Sequence, residues 1–160
     1  MKNSVARTAL LFVFIIMVFY CYGAGMMDYF AIYEPWNMID EKIFPSFHGF
    51  QGERVMNIFV IPSGIMTILN ILVVLFPPSY ASRRLLIYAL IAYAFDWIFS
   101  FTMQIPIQLK LAEAKDPALI RELLSTNWWR FAADTVQFVI VCTILWKLLR
   151  QLESNRRAVS

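Results

Sequence analysis

The chain has 160 residues, of which 60% are hydrophobic and 16% are aromatic, and its mean hydropathy is +0.61. Soluble globular domains are roughly half apolar, so this composition excludes an ordinary water-soluble protein, and the length allows one domain. The formal net charge of +3 comes from basic residues that flank apolar segments, which indicates membrane topology and excludes a nucleic-acid partner.

Four apolar segments are long enough to cross a hydrocarbon layer about 30 Å thick, which takes roughly 20 helical residues each. They are predicted at 10–30, 55–76, 85–105 and 128–149. The connections between them are short, and they contain neither repeats nor low-complexity linkers. The sequence therefore predicts an all-α bundle of four transmembrane helices, one integral membrane domain over residues 1–160, in contact with membrane lipid.

The first segment has a second interpretation as a secretory signal peptide. Lys2 and Arg7 precede it, and the small residues at 23–25 resemble a cleavage site. The apolar run nevertheless continues to Phe30, which is longer than the usual apolar core of a signal peptide. This length favours an uncleaved helix.

Basic residues near the segment ends predict the orientation in the membrane. The N-terminal tail, the second connection and the C-terminal tail carry a clear excess: Lys2, Arg7, Arg83, Arg84, Lys147, Arg150, Arg156 and Arg157. In the first and third connections, acidic residues balance the basic ones. Because Lys and Arg concentrate on the cytoplasmic side, both termini are expected in the cytoplasm, in a plasma or inner membrane.

The first connection, residues 33–57, carries aromatic residues among charges, a composition typical of segments at a membrane surface. We expect it to form an extracytoplasmic loop that caps the bundle, with a short helix along the outer surface as the alternative. It contains His48, the single histidine of the chain, close in sequence to Glu53. A lone histidine is most often a structural hydrogen-bonding group, but at this position it could also act as a general base.

Metal and cofactor sites have little support in the sequence. Without a second histidine or a cysteine cluster, no dedicated metal site is predicted, and a site of His48 with a carboxylate is the remaining alternative. Cys21 and Cys142 lie in apolar segments without a CxxC spacing, so they are interpreted as buried thiols. The sequence identifies no cofactor.

Polar residues recur at helical spacing in the later segments, so that each segment presents a polar face. The fourth segment carries Asn127, Arg130, Asp134 and Gln137, the third Asp96, Ser100, Gln104 and Gln108, and the second Glu53 and Asn57, while the first adds Asp28. A charge in hydrocarbon costs about 2.5–3.5 kcal/mol, so these faces should point into the bundle. Arg130 and Asp134, four residues apart, can pair within their helix.

These faces have two interpretations. Polar contacts between membrane helices average about 0.6 kcal/mol and could simply join the helices. Three faces at one depth instead favour a polar pocket open to the outer side. Its candidate ligand-binding residues are Asn57, Asp96, Gln104, Gln108, Asn127, Trp128, Asp134 and Gln137, and its candidate catalytic residues are His48, Glu53 and Arg130.

Several short stretches resemble small four-helix membrane proteins grouped with the fungal anthrone oxygenases. They are "IPIQLKLAEA" and "LIRELLSTNWWRFAADTVQF", with "GAGMMDYFAIYEPW" and "FHGFQGERVMNIFVIP" similar in placement. The resemblance implies a cofactor-independent oxygenase acting on an aromatic, lipid-soluble substrate. It also implies that Asn127, Trp128 and Arg130 are signature residues and that His48 is the base, whereas Asp96 and Asp134 fall outside the pattern.

Three functional hypotheses follow. In an enzyme, a phenolic or enolisable substrate would enter from lipid, lose a proton to His48 or Glu53, and be held as an anion by Arg130. In a non-catalytic protein, the pocket would bind a lipophilic ligand, or the polar face would contact a second copy or a larger membrane complex. A proton or ion pathway through Asp96 and Asp134 is the third hypothesis, and the lack of ionisable residues in the inner half weakens it.

Overall fold

The structure, a computed structural model, describes residues 2–159 and contains no β-strand in that range. Six α-helices follow one another along the chain. They are α1 (Lys2–Met27), α2 (Phe44–Val55), α3 (Ile61–Leu75), α4 (Arg83–Phe99), α5 (Ile105–Glu113) and α6 (Pro117–Val159).

Short π-helical turns extend or join these helices into four long rods. Asp28–Tyr33 extends α1, Met56–Val60 joins α2 to α3, and Ser100–Gln104 joins α4 to α5. The rods are the first span (Ser4–Met38), the second (Phe44–Leu75), the third (Arg83–Glu113) and the fourth (Pro117–Arg157), each long and apolar enough to cross a membrane. The predicted four-helix membrane bundle is thus confirmed, and each span is longer than the apolar window that predicted it.

A proline follows each π-helical turn after one intervening residue: Pro35, Pro62 and Pro106. Proline lacks an N–H and its ring clashes with the carbonyl four residues earlier, so a regular α-helix cannot pass through it unchanged. A wider turn just before the proline accommodates both defects and lets the helix continue. The third span therefore runs through Pro106 without a break. The direction of its polar face changes at the turn Ser100–Gln104.

The expected capping loop is replaced by helix. Within residues 33–57, only 39–43 lie outside regular helical structure, and the remainder forms the ends of the first and second spans. Trp36 Nε1 donates to Gln51 Oε1 at 2.6 Å and joins these two ends. Lys115 Nζ donates to the carbonyls of Asn37 and Ile39 at 2.9 and 2.6 Å. Tyr33, Trp36 and Phe44 consequently pack between helices, where the sequence suggested a surface layer, whereas Phe50 stays exposed.

Two apolar cores lie along the bundle axis. The larger contains Phe14, Met66, Leu86 and Val141 among others and is built by all four spans. The smaller lies at the end of the bundle that contains Trp36, hereafter the Trp36 end, and is built from Tyr33, Trp36, Phe44, Ile107, Leu111, Ile120 and Leu123. On the first, third and fourth spans, the residues between these cores include buried polar groups. That polar layer is the candidate functional site.

The opposite end of the bundle brings the first span, the second connection and the fourth span together. Tyr80 Oη donates to Thr8 Oγ1 at 2.7 Å, and Tyr80 shares a surface cavity with Gln151. The two ends of the chain therefore approach the same end of the bundle. Its location on the cytoplasmic side stays a prediction from the distribution of basic residues.

Candidate functional site: a buried arginine among three aspartates

Arg130 on α6 and Asp96 on α4 form an ion pair inside the bundle. Arg130 Nε donates to Asp96 Oδ1 at 3.0 Å, and the two side chains are 11% and 4% exposed. Arg130 Nη1 also donates to Asn127 Oδ1 at 3.3 Å. The pair between Arg130 and Asp134 that the helical spacing allows is not formed, because the guanidinium reaches across to the third span. The ion pair therefore links two spans.

Two further carboxylates lie beside this pair. Asp28, the first residue of a π-helical turn, is 3% exposed, and its Oδ1 atom has no hydrogen-bond partner among the described residues. The Oδ1 atom of Asp134 is likewise buried without a partner in this part of the chain. Four other buried side-chain atoms of the described residues also lack a partner: His48 Nδ1, Ser63 Oγ, Ser100 Oγ and Gln104 Oε1. Asp28 and Asp134 differ from these in lining one cavity with Arg130, which makes their costly unpaired oxygens candidates for contact with a bound donor.

The charge of this centre is unbalanced. One guanidinium faces three carboxyl groups, so two of them lack a cationic partner within the centre. Buried charges require neutralisation, by bound protons or by a ligand that brings its own donors. Within residues 2–159, no group of three or more His, Cys, Asp or Glu is arranged to hold a metal ion. The centre is therefore suited to hydrogen-bond donors.

A small cavity lies against Arg130, Asp28 and Asp134. Its other walls are Asn127, Gly25, Met26 and the aromatic residues Tyr22, Tyr29, Phe59 and Phe131. The volume of about 10 Å³ is roughly that needed for a single water molecule. The open polar pocket expected from the sequence is thus nearly filled in this structure.

A much larger groove of about 600 Å³ lies between the first and second spans. Its lining is mostly apolar and comprises Phe19, Tyr20, Gly23, Ala24, Met27, Ile32, Val55, Ile58 and Phe59, with Asp28, Gln51 and Arg54 as its polar members. Asp28 and Phe59 also line the small cavity. These two side chains therefore stand between the groove and Arg130.

A second polar contact lies deeper in the bundle, beyond Asp134. Gln137 Nε2 donates to Asn70 Oδ1 at 3.4 Å and approaches Met66 Sδ at 3.5 Å. Asn70 is completely buried and donates to the carbonyl of Leu86 at 3.2 Å. Sequence reasoning missed Asn70. This residue is a single amide within the apolar stretch "TILNILVV", and an amide inside a membrane segment indicates a contact between helices, as it did for Gln137.

The structure brings four of the predicted residues together: Asp96, Asn127, Arg130 and Asp134. Gln104 lies nearer the Trp36 end, where its Nε2 atom donates to Thr126 Oγ1 at 2.8 Å. Trp128 is half exposed, and its ring packs 4.9 Å from that of Tyr29, a wall of the small cavity.

Other predicted residues lie apart from Arg130. His48 is buried among aromatic rings, 4.9 Å from Trp36 and 5.7 Å from Phe44, and its Nε2 atom pairs with Gln108 Oε1 at 2.8 Å. No hydrogen bond, ion pair or ring contact within residues 2–159 joins His48 to Arg130. His48 and Gln108 thus form a separate polar contact in the smaller core.

Glu53 and Asn57, expected in the pocket, lie on the exposed surface of the second span. Asn57 Nδ2 donates to the backbone carbonyl of Glu53 at 3.0 Å. The π-helical turn that starts at Met56 shifts the helical register here, so the face predicted from regular spacing does not continue inward.

Comparisons of the chain with models of protein families, with curated proteins and with solved structures find no match. The centre is therefore interpreted from its own chemistry.

Proposed function

We propose that this chain is an integral membrane enzyme that binds an aromatic, lipid-soluble substrate at Arg130 and removes a proton from it. The observation that carries the proposal is the unpartnered Oδ1 atom of Asp28 beside a buried guanidinium. Such an acceptor fits a hydroxyl group or an acidic C–H bond. Four aromatic side chains, Tyr22, Tyr29, Phe59 and Phe131, wall the small cavity. A substrate ring would have to displace one of them to enter, because the present volume of about 10 Å³ holds a single water molecule.

The proposed role of each residue follows from the positions of the charged groups. Asp28 would accept the proton and become neutral, which removes one unpaired negative charge from the centre. The N–H groups of Arg130 that do not bind Asp96 or Asn127 would then donate to the phenolate or enolate that forms. Asp96 would hold the guanidinium in place through the 3.0 Å ion pair. Asp28 replaces His48 and Glu53 as the proposed base, because it lies in the cavity that Arg130 lines whereas they do not.

The resemblance to the anthrone-oxygenase group suggests dioxygen as the co-reactant in this proposal. An enolate held by Arg130 would react with dioxygen; at a ring CH₂ group, one oxygen atom becomes a carbonyl and the other leaves as water. The reaction converts a CH₂ group and dioxygen into a carbonyl group and water, so all atoms balance. It requires no metal ligands from the chain. Asn127, which accepts a hydrogen bond from Arg130 at 3.3 Å, would help to orient the guanidinium.

The test is oxidation of anthrone under air by the full chain in lipid nanodiscs. We expect product formation by the wild type, and a loss to the rate of empty nanodiscs in Asp28→Asn and in Arg130→Gln. Asp40→Asn is the matched control, because Asp40 is part of the short loop and accepts a hydrogen bond from the Lys42 backbone N–H. Thermal unfolding of each variant separates loss of chemistry from loss of fold.

A wild-type rate equal to that of empty nanodiscs would show that the chain does not oxidise anthrone. An unchanged rate in Asp28→Asn, with measurable wild-type turnover, would exclude Asp28 as the base. If a ligand binds at Arg130 without turnover, the chain is a membrane ligand-binding protein or an accessory subunit of a larger complex.

A further inference from the structure

We infer that the groove between the first and second spans binds the long apolar tail of the ligand whose polar head reaches Asp28. The ligand class is a phenol or hydroquinone that carries an alkyl or isoprenoid chain. This inference rests on the proposed function, because it takes the Arg130 centre as the place where the head binds. It adds a second binding region and a substrate class with a tail.

The shape of the groove fits a chain. Along the first span it extends from Phe19 to Ile32, about 20 Å at the 1.5 Å rise of a helix. Gly23 lines it, and a Cβ atom added there would meet no atom within 4 Å. The groove is therefore open at Gly23. A volume of about 600 Å³ is within the range of small-molecule binding sites.

The head position is set by Asp28. This carboxylate is 3% exposed, has an unpartnered oxygen, and lines both the groove and the small cavity of Arg130. A hydroxyl group that donates to Asp28 would have its apolar tail directed along Ala24 and Gly23. A ligand in this position satisfies the buried acceptor and covers apolar surface at the same time.

Phe59 separates the head region from the guanidinium. Its ring lies 5.8 Å from the Arg130 Cζ atom and faces Gly25, whose added Cβ atom would be 3.5 Å from the ring. Phe59 belongs to the π-helical turn Met56–Val60, a type of helix defect that recurs at functional sites. Displacement of this one ring would join the groove to the cavity.

Two polar residues also stand at the rim of the groove. The Arg54 guanidinium lies over the Phe50 ring at 4.0 Å, and Gln51 accepts a hydrogen bond from Trp36 at 2.6 Å. The ring contact leaves the N–H groups of the exposed Arg54 able to bind an anion, whereas the buried oxygen of Asp28, unpartnered within residues 2–159, calls for a hydrogen-bond donor. The Asp28 acceptor, which lines the groove and the cavity of Arg130, is the feature that favours a hydroxyl head.

The experiment uses para-decylphenol with a diazirine at the end of its chain, added to the full chain in nanodiscs and activated by light. Mass spectrometry of peptides identifies the labelled residues. We expect labelling near Phe19 and Tyr20, at the groove end remote from Asp28. Gly23→Leu should reduce that labelling about tenfold, because the added side chain occupies the groove.

Gly64→Leu is the matched control, since Gly64 is also helical, its added Cβ atom also meets nothing within 4 Å, and it does not line the groove. Labelling spread evenly over the lipid-facing surface, or unchanged in Gly23→Leu, would overturn the inference. Equal competition by para-cresol, which has no tail, would overturn it as well. Anthrone turnover that persists in Gly23→Leu would then show that the proposed function stands without the tail site.

Discussion

Arg130 binds Asp96 across the interface of the third and fourth spans, with 3.0 Å between Nε and Oδ1. Both side chains are almost fully buried, and Asp96 is the carboxylate that bonds the guanidinium directly, while Asp28 and Asp134 line the cavity beside it. The pairing fixes the guanidinium at the level of Asp28 and Asp134. It therefore determines both the packing of two spans and the chemistry of the centre.

Asp96→Ala should destabilise the bundle by about 1.5–3 kcal/mol, because it removes the charged hydrogen bond that links the third and fourth spans, while Asp28 and Asp134 remain to compensate the charge of Arg130. Unfolding in mixed micelles with increasing denaturing detergent measures the change. Glu153→Ala is the matched control: Glu153 pairs with Arg157 one turn away on the exposed surface, where such pairs contribute about 0.3–0.5 kcal/mol. Equal effects of the two substitutions would contradict the structural role of the Arg130 and Asp96 pair.

Asn70→Ala should cost about 1–2 kcal/mol in the same unfolding measurement. The substitution removes the hydrogen bond to the Leu86 carbonyl and leaves the Gln137 amide with a weaker set of partners. Asn57→Ala provides the comparison, since Asn57 is exposed and bonds only within its own helical turn. A smaller loss in Asn70→Ala than in Asn57→Ala would show that the deep polar contact does not hold the spans together.

His48→Ala should lower stability by about 1–3 kcal/mol while leaving ligand binding at Arg130 unchanged. His48 packs among Trp36 and Phe44 in the smaller core and pairs with Gln108, away from the centre. Unfolding and ligand retention are measured on the same preparation. A stable variant that has lost its ligand would restore His48 as a functional residue.

Gly25→Ala should preserve the fold and weaken ligand binding. The added Cβ atom would make ordinary contacts, 3.5 Å to Phe59 and 3.6 Å to Asp134 Oδ2, and the loss of a helical glycine stabilises by about 0.5–1 kcal/mol. The methyl group would also occupy the water-sized cavity next to Arg130. Gly49→Ala is the control in open space on α2. Undiminished ligand retention in Gly25→Ala would show that this cavity is not used.

Sequence reasoning found the four spans because length and apolar composition determine which helices can cross a membrane. It also found Asp96, Asn127, Arg130 and Asp134, since intramembrane charges must face the interior. It named Asp134 as a possible partner of Arg130 but not Asp96, because a spacing of four within one helix carries no information about the approach of another span. The Arg130 and Asp96 pair depends on tertiary packing.

The π-helical turns explain the other differences. Regular 3.6-residue spacing placed Glu53 and Asn57 on an inward face, but the wide turn from Met56 changes the register of the second span. A proline after each turn was visible in the sequence, yet a proline is equally compatible with the end of a helix, so it did not reveal how far the spans continue. The importance of Asp28 became visible only when packing placed it in one cavity with Arg130.

Native mass spectrometry of the gently extracted chain tests the central claim, that the Arg130 centre binds a small molecule from the membrane. We predict an added mass on the wild-type protomer, lost in Arg130→Gln and in Asp28→Asn, and kept in Arg121→Gln, a substitution of an exposed arginine on the fourth span. A wild-type protomer without added mass, or an added mass that persists in Arg130→Gln, would contradict it. A multimer without ligand that dissociates in Arg130→Gln would instead assign the centre to assembly.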